Sequence, residues 1–230
     1  MGKRLTTVMR LLQFSDSAFP VGTFSFSNGL ETAAHHGIVH DARTLESYTR
    51  SLMRQAAYSD GIAALEACRA TGGNRYDRVL ETDRRLLRCK MNGEARLMLR
   101  RMGKKLAELG SSLFDSDLLR QWLGDIRTDA APGTYPVAQG ITFSLAGVNE
   151  KELFCSLQYG VANMILSAAL RCVRVSHYDT QRILFALGDE LPELYEEIRT
   201  LSTDDMNAFV PEADILASLH EKGNMRMFMN

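Results

Sequence analysis

The sequence predicts an all-α fold, a compact single-domain helical bundle with a flexible C-terminal tail, and three observations carry that reading. Apolar residues recur at helical rather than alternating spacing along most of the 230 residues. Capping residues stand in front of several of those stretches, and glycine or proline punctuates their ends. No pair of alternating runs flanks a turn dipeptide, and no repeat period shows. With 45% hydrophobic and 24% charged residues the chain can bury a full core. No linker interrupts it, so it reads as one domain over residues 1–230 with a tail at about 222–230.

Taken in order, Leu5, Val8, Met9 and Leu12 give a first short helix, which Asp16 to Pro20 break. A second starts near Ser25 or Asn28, where the spacing of Asn28 and Glu31 resembles a capping box, and stops at Gly37. Asp41 caps a long third helix whose apolar face runs from Leu45 through Leu52 and Ala56 to Ala67, ending at Thr71-Gly72-Gly73. Further helices fit Arg75 to Met91, Glu94 to Leu109 and Leu113 to Leu123. After the turn Ala131-Pro132-Gly133, Pro136 sits where a proline opens a helix that continues through Gly147. Asn149 with Glu152 forms a capping box for the most hydrophobic helix, Glu150 to about Arg174; apolar nearly all round, it is predicted to be central. Shorter helices fit Thr180 to Leu187, Leu191 to Leu201 and Pro211 to Leu219.

Composition narrows the function classes. The longest apolar run, Val161 to Leu170, is interrupted by Asn163 and Ser167 and falls short of the roughly 20 residues that cross a bilayer. The N-terminus lacks the apolar stretch of a secretory signal, so a cytoplasmic protein without a membrane partner is expected. Cys68, Cys89, Cys155 and Cys172 are widely spaced, which suits buried reduced thiols rather than a disulfide framework. Charge is segregated: Arg69 to Lys105 holds twelve Lys and Arg against four Asp and Glu, whereas His177 to Glu221 holds eleven acidic residues against Arg182 and Arg199. Such polarity suits two faces with different partners, or one subunit's basic face on another's acidic one.

No catalytic constellation is expected. The phosphate-loop pattern is absent, and Ser25 between Phe24 and Phe26 lacks the glycines of a nucleophile elbow. Glu31 and His35 make a minimal metal pair at i, i+4, but Gly37 separates them from His40, and no metal site is assigned. The basic tract 84–105, with Arg84, Arg85, Arg88, Arg96, Arg100, Arg101, Lys104 and Lys105, leaves a nucleic-acid-binding helical domain as the alternative function. A near-neutral chain without a reader motif weighs against it.

The remaining strings are locally specific. Phe19-Pro20-Val21-Gly22-Thr23-Phe24-Ser25-Phe26-Ser27-Asn28-Gly29-Leu30-Glu31 closely resembles the signature of the urease accessory protein UreF family. Tyr135-Pro136-Val137-Ala138-Gln139-Gly140 resembles a second family signature, and Asp179 with Gln181 a third. The string from Pro211 through His220-Glu221 to Arg226 and Phe228 resembles the C-terminal one, so the likeness spans the chain from about Leu11 to its end. The resemblance implies an all-α accessory protein that is not an enzyme. It would dimerise, bind UreH (also called UreD) and recruit the GTPase UreG, while nickel passes through the complex to apo-urease and no cofactor is bound tightly. On the same basis Pro20, Gly22, Phe24, Ser25, Phe26, Gly29, Glu31, Tyr135, Asp179, Gln181, His220, Glu221, Arg226 and Phe228 are the expected partner-binding residues.

Overall fold

The computed structural model describes residues 2–22, 26–208, 210–220 and 227–228. They form α1 (Gly2–Ser15), α2 (Leu30–His35), α3 (Ala42–Ala56), a π turn (Ala57–Gly61), α4 (Ile62–Gly72), α5 (Tyr76–Cys89) and α6 (Gly93–Leu113). Then follow α7 (Asp117–Arg127), α8 (Tyr135–Ala146), α9 (Glu150–Cys172), α10 (His177–Gly188), α11 (Leu191–Ile198), a 3₁₀ turn (Thr203–Asp205) and α12 (Pro211–His220). Among the described residues there is no strand.

Local chemistry explains most boundaries. The carboxylate of Asp41 accepts from the Thr44 backbone N–H at 2.8 Å, and the Thr44 hydroxyl answers the Asp41 N–H at 3.0 Å, a reciprocal box that opens α3. Asn149 and Glu152 open α9 in the same way. Elsewhere the structure corrects the expected limits. The long third helix is broken by the π turn at Ala57–Gly61, which adds a residue to one coil and turns Asp60 toward α6. Ser116 caps α7 four residues later than expected, because α6 continues to Leu113. The box expected of Asn28 and Glu31 does not form. Gly29 is the N-cap of α2, with no side-chain cap bond, and the Glu31 carboxylate is engaged elsewhere.

Two layers of packing make the core. α4 and α8 pack most extensively of any pair, and they can because of Gly140: a Cβ there would lie 2.4 Å from the Ala64 carbonyl oxygen and 2.7 Å from the Ala67 Cβ. Ile141, Phe143, Leu106, Leu119 and Trp122 fill the space around that pair, all fully buried. The expectation of a central α9 holds in a second sense, since α9 touches α1, α2, α3, α4, α8, α10 and α11. It is long and apolar enough by composition to cross a bilayer, beyond what its interrupted apolar run suggested. Over half of that stretch is buried inside the body, as in a core helix. Of the four cysteines only Cys68 is buried; Cys89 and Cys172 are half-buried and Cys155 is exposed, all as free thiols whose pKa burial raises.

Candidate partner-binding surface

Three of the four signature segments, distant in the chain, are neighbours in space. Val21, Phe26, Tyr135, Gln139 and Phe228 all border one small cavity of about 50 Å³ against the α9 face that carries Tyr159, Asn163 and Arg171. Each is placed by a specific contact.

In the first signature, Phe19 meets Phe14 of α1 edge to face at 5.2 Å between ring centres, Pro20 is exposed, and Val21 and Phe26 are buried. Gly22 takes a φ of +90° with no neighbour near its would-be Cβ. Asn28 is also left-handed, φ 52°, and its backbone carbonyl accepts the Tyr48 hydroxyl at 2.6 Å. Gly29 then turns into α2 at φ +77°, where a Cβ would press on Ala217 of α12 and on the Tyr48 hydroxyl, each at 3.2 Å. The turn is thus wedged between α3, α9 and α12 and cannot accept a side chain at Gly29 without shifting. Phe24 and Ser25 lie outside the described residues.

The second signature is held by a residue that spacing did not single out. Asp83 of α5, fully buried, accepts Gly133 N–H at 2.8 Å, Thr134 N–H at 2.8 Å, the Thr134 hydroxyl at 2.6 Å and the Trp122 indole N–H at 3.2 Å. Burial pushes its carboxyl pKa up and the four donors oppose that push. They fix the turn that delivers Tyr135 to the first helical position, so that Pro136 stands second in α8 rather than first. Burial raises the Tyr135 phenol pKa.

Glu31 binds the far end of the chain. Its carboxylate accepts the backbone N–H of Met227 at 2.9 Å and of Phe228 at 3.3 Å, and the buried Phe228 ring lies under the Arg171 guanidinium at 5.3 Å. Those two residues are the described part of the expected tail, and they are seated on the body. Glu221 and Arg226 lie outside the described residues; His220 closes α12, and only its backbone is described. The third signature stands apart from this cluster. Asp179 is the capping partner of Ser176 at the start of α10, its pKa held low by the Ser176 hydroxyl and N–H, and Gln181 is exposed.

Two exposed apolar stripes escaped the site expectations. On α1, Leu5, Met9 and Leu12 are 70, 68 and 62% exposed at i, i+4 and i+7, while the same helix packs on α8 and α9 through its other side. On α10, Tyr178 and Phe185 flank Gln181 and are 79 and 80% exposed. Helical periodicity marks such a face as apolar and points it inward; only the packing shows that it faces out.

Much of the basic tract is engaged within the chain. Arg85 pairs with Asp204 at 2.5 Å, Arg100 with Asp129 at 2.6 Å and Lys90 with Asp60 at 2.7 Å, while Arg84 and Arg96 donate to the carbonyls of Ala130 and Lys90. The nucleic-acid alternative is therefore not supported. Among the described residues no group of three or more His, Cys, Asp and Glu is placed to hold a metal ion. Glu31, which with His35 could make only a minimal metal pair, accepts instead from Met227 and Phe228, and the His35 ring meets that of His36.

Comparison with known proteins agrees with this geometry. The UreF family profile matches residues 39–188. The chain is 47% identical to the urease accessory protein UreF 2 of Brucella canis over 228 residues, 99% of this chain and 94% of the relative. It is 42% identical to the urease accessory protein UreF of Photorhabdus laumondii and 40% identical to that of Yersinia pseudotuberculosis. Each of those alignments covers 97% of this chain and 98% of the relative. With three of its signature segments gathered against α9 and this likeness over nearly its full length, the chain belongs to the UreF family of urease accessory proteins.

Proposed function

We propose that the protein is a non-catalytic cytoplasmic scaffold for urease maturation. It pairs with a second copy of itself, binds UreH/UreD and through that complex recruits the GTPase UreG, nickel passing through the assembly to apo-urease. The observation that supports the scaffold reading best is the α1 stripe of Leu5, Met9 and Leu12, left in water beside the packed signature cluster. Contiguous apolar side chains on a surface helix favour a protein partner, because burying them recovers about 25 cal/mol for each Å² removed from water. The α10 stripe around Gln181 offers a second such surface, suited to the self-pairing.

The test is urease activation reconstituted with UreH/UreD, UreG, nickel and apo-urease. Replacing Leu5, Met9 and Leu12 together by Gln is expected to abolish activation while circular dichroism stays helical, since the three side chains contribute little to the fold. Full activation by that variant overturns the assignment of α1 as a partner surface.

A further inference from the structure

A second cavity, of about 140 Å³, lies between α3, the π turn, α6, α8, α9 and α12. Its lining mixes two chemistries: the charged side chains of Asp60, Lys90 and Asp214, and the thioethers of Met98, Met102 and Met164 with leucine and valine side chains.

The charged part of the lining is only half satisfied. Lys90 Nζ meets Asp60 Oδ2 at 2.7 Å with the two side chains 11 and 14% exposed. Asp60 Oδ1 is buried and accepts no hydrogen bond from the described residues. Asp214 already accepts from Asn92 at 2.9 Å on one oxygen. The lining thus holds two carboxylates and one ammonium, and a buried carboxylate oxygen without a donor is a costly arrangement unless something supplies one. Asp60 lies within the π turn, whose wider coil changes the direction in which its side chain leaves the helix. The cavity as a whole, about 140 Å³, is of a size that takes up a single six-membered ring, and flexible thioether side chains adapt to such a guest.

We propose that this cavity binds a small organic ammonium ion. The charged head pairs with the Asp60 carboxylate, and an apolar body of about benzene size lies among Met98, Met102 and Met164. The charged side chains select a cation over a neutral molecule because the lining carries one more carboxylate than ammonium, and a charge-assisted hydrogen bond is the strong kind. The inference stands apart from the scaffold reading, because it concerns the interior of the isolated chain and needs no partner.

The test uses the full chain, with benzylammonium as probe and benzyl alcohol as its neutral counterpart, followed by calorimetric titration and by the methyl resonances of the methionines. Saturable binding of benzylammonium with a Kd of about 1 mM or tighter is expected, at least about tenfold tighter than benzyl alcohol. The methyl signals of Met98, Met102 and Met164 should move while that of the exposed Met9 stays. Asp60→Asn should weaken benzylammonium at least about tenfold and leave benzyl alcohol within twofold. Should that variant fail to fold, Ala95→Phe, which fills the cavity from α6, is expected to remove binding of both probes at unchanged helicity. Absence of saturable benzylammonium binding, equal affinity for the two probes, or an Ala95→Phe protein that binds like the unmodified chain overturns the proposal.

Discussion

The aspartates of this protein show how one residue type does opposite work according to its surroundings. Asp83 is surrounded by four donors in a dry core, so Asp83→Ala leaves two backbone N–H groups, a hydroxyl and an indole without an acceptor. That orphaning is expected to cost about 3 kcal/mol, read as a lower urea midpoint, and to loosen the turn before Tyr135. Asp41, the cap of α3, and Asp179 and Asp205, the partners of the caps Ser176 and Ser202, sit instead at the surface, each with its pKa lowered below the ordinary 3.8 by hydrogen bonds, from Thr44, Ser176 and Ser202. A carboxylate whose folded pKa lies below its unfolded one stabilises fully above the unfolded value, and that stability is lost as pH falls through the folded pKa. Replacing all three by Asn, which keeps an accepting oxygen but does not titrate, is expected to flatten the fall in denaturation midpoint below about pH 4; an unchanged acid limb contradicts that assignment. The caps at Asp41 and Asn149 were legible in the sequence because cap and partner are three residues apart. Asp83 was not, because its donors lie some fifty residues away and nothing local marks a buried carboxylate. Glu31 was misread for a related reason: its spacing from Asn28 suits a box, but the backbone N–H groups of Met227 and Phe228 are the donors it takes.

At the scale of elements, helical periodicity located nearly every helix but was blind to two things, the interruption of a helix and the direction in which an apolar face points. The π turn at Ala57–Gly61 contains Ser59, Asp60 and Gly61, which suit a helix interior poorly, but low propensity alone does not distinguish a π turn from α-helix. The α1 stripe reads in sequence like any core-facing stripe. The α4 and α8 contact, by contrast, depends on a residue whose smallness is visible once the packing is known. Gly140→Ala should drive its Cβ against Ala64 and Ala67 and force the helices apart, at a cost of about 1–3 kcal/mol typical of overpacking. A drop in Tm of several degrees is the expected reading, and an unchanged Tm shows that the pair has slack. Phe228→Ala tests the seat of the chain's end: losing a buried ring beneath Arg171 should expose the groove beside Phe26 and weaken assembly more than it lowers Tm.

For the whole molecule, the segregated charge suggested in the sequence finds much of its answer inside one chain. Arg50 with Glu190, Arg54 with Glu197 and Arg85 with Asp204 tie the basic and middle helices to the acidic segment that follows α10. Exposed pairs of this kind hold little energy each, so they orient α11 and the 3₁₀ turn rather than stabilise the fold. Exposed apolar side chains on α1 and α10 remain, and they are the basis for reading the protein as a scaffold. The most direct measurement of that claim is the mass, by light scattering after size-exclusion chromatography, of the chain mixed with UreH/UreD and then with UreG. The expected result is one species holding two copies of this chain with UreH/UreD, which gains mass when UreG is added and which the Leu5, Met9 and Leu12 variant fails to form. Elution of the unmodified chain by itself at its own 25.7 kDa, with the other proteins in separate peaks, would contradict it.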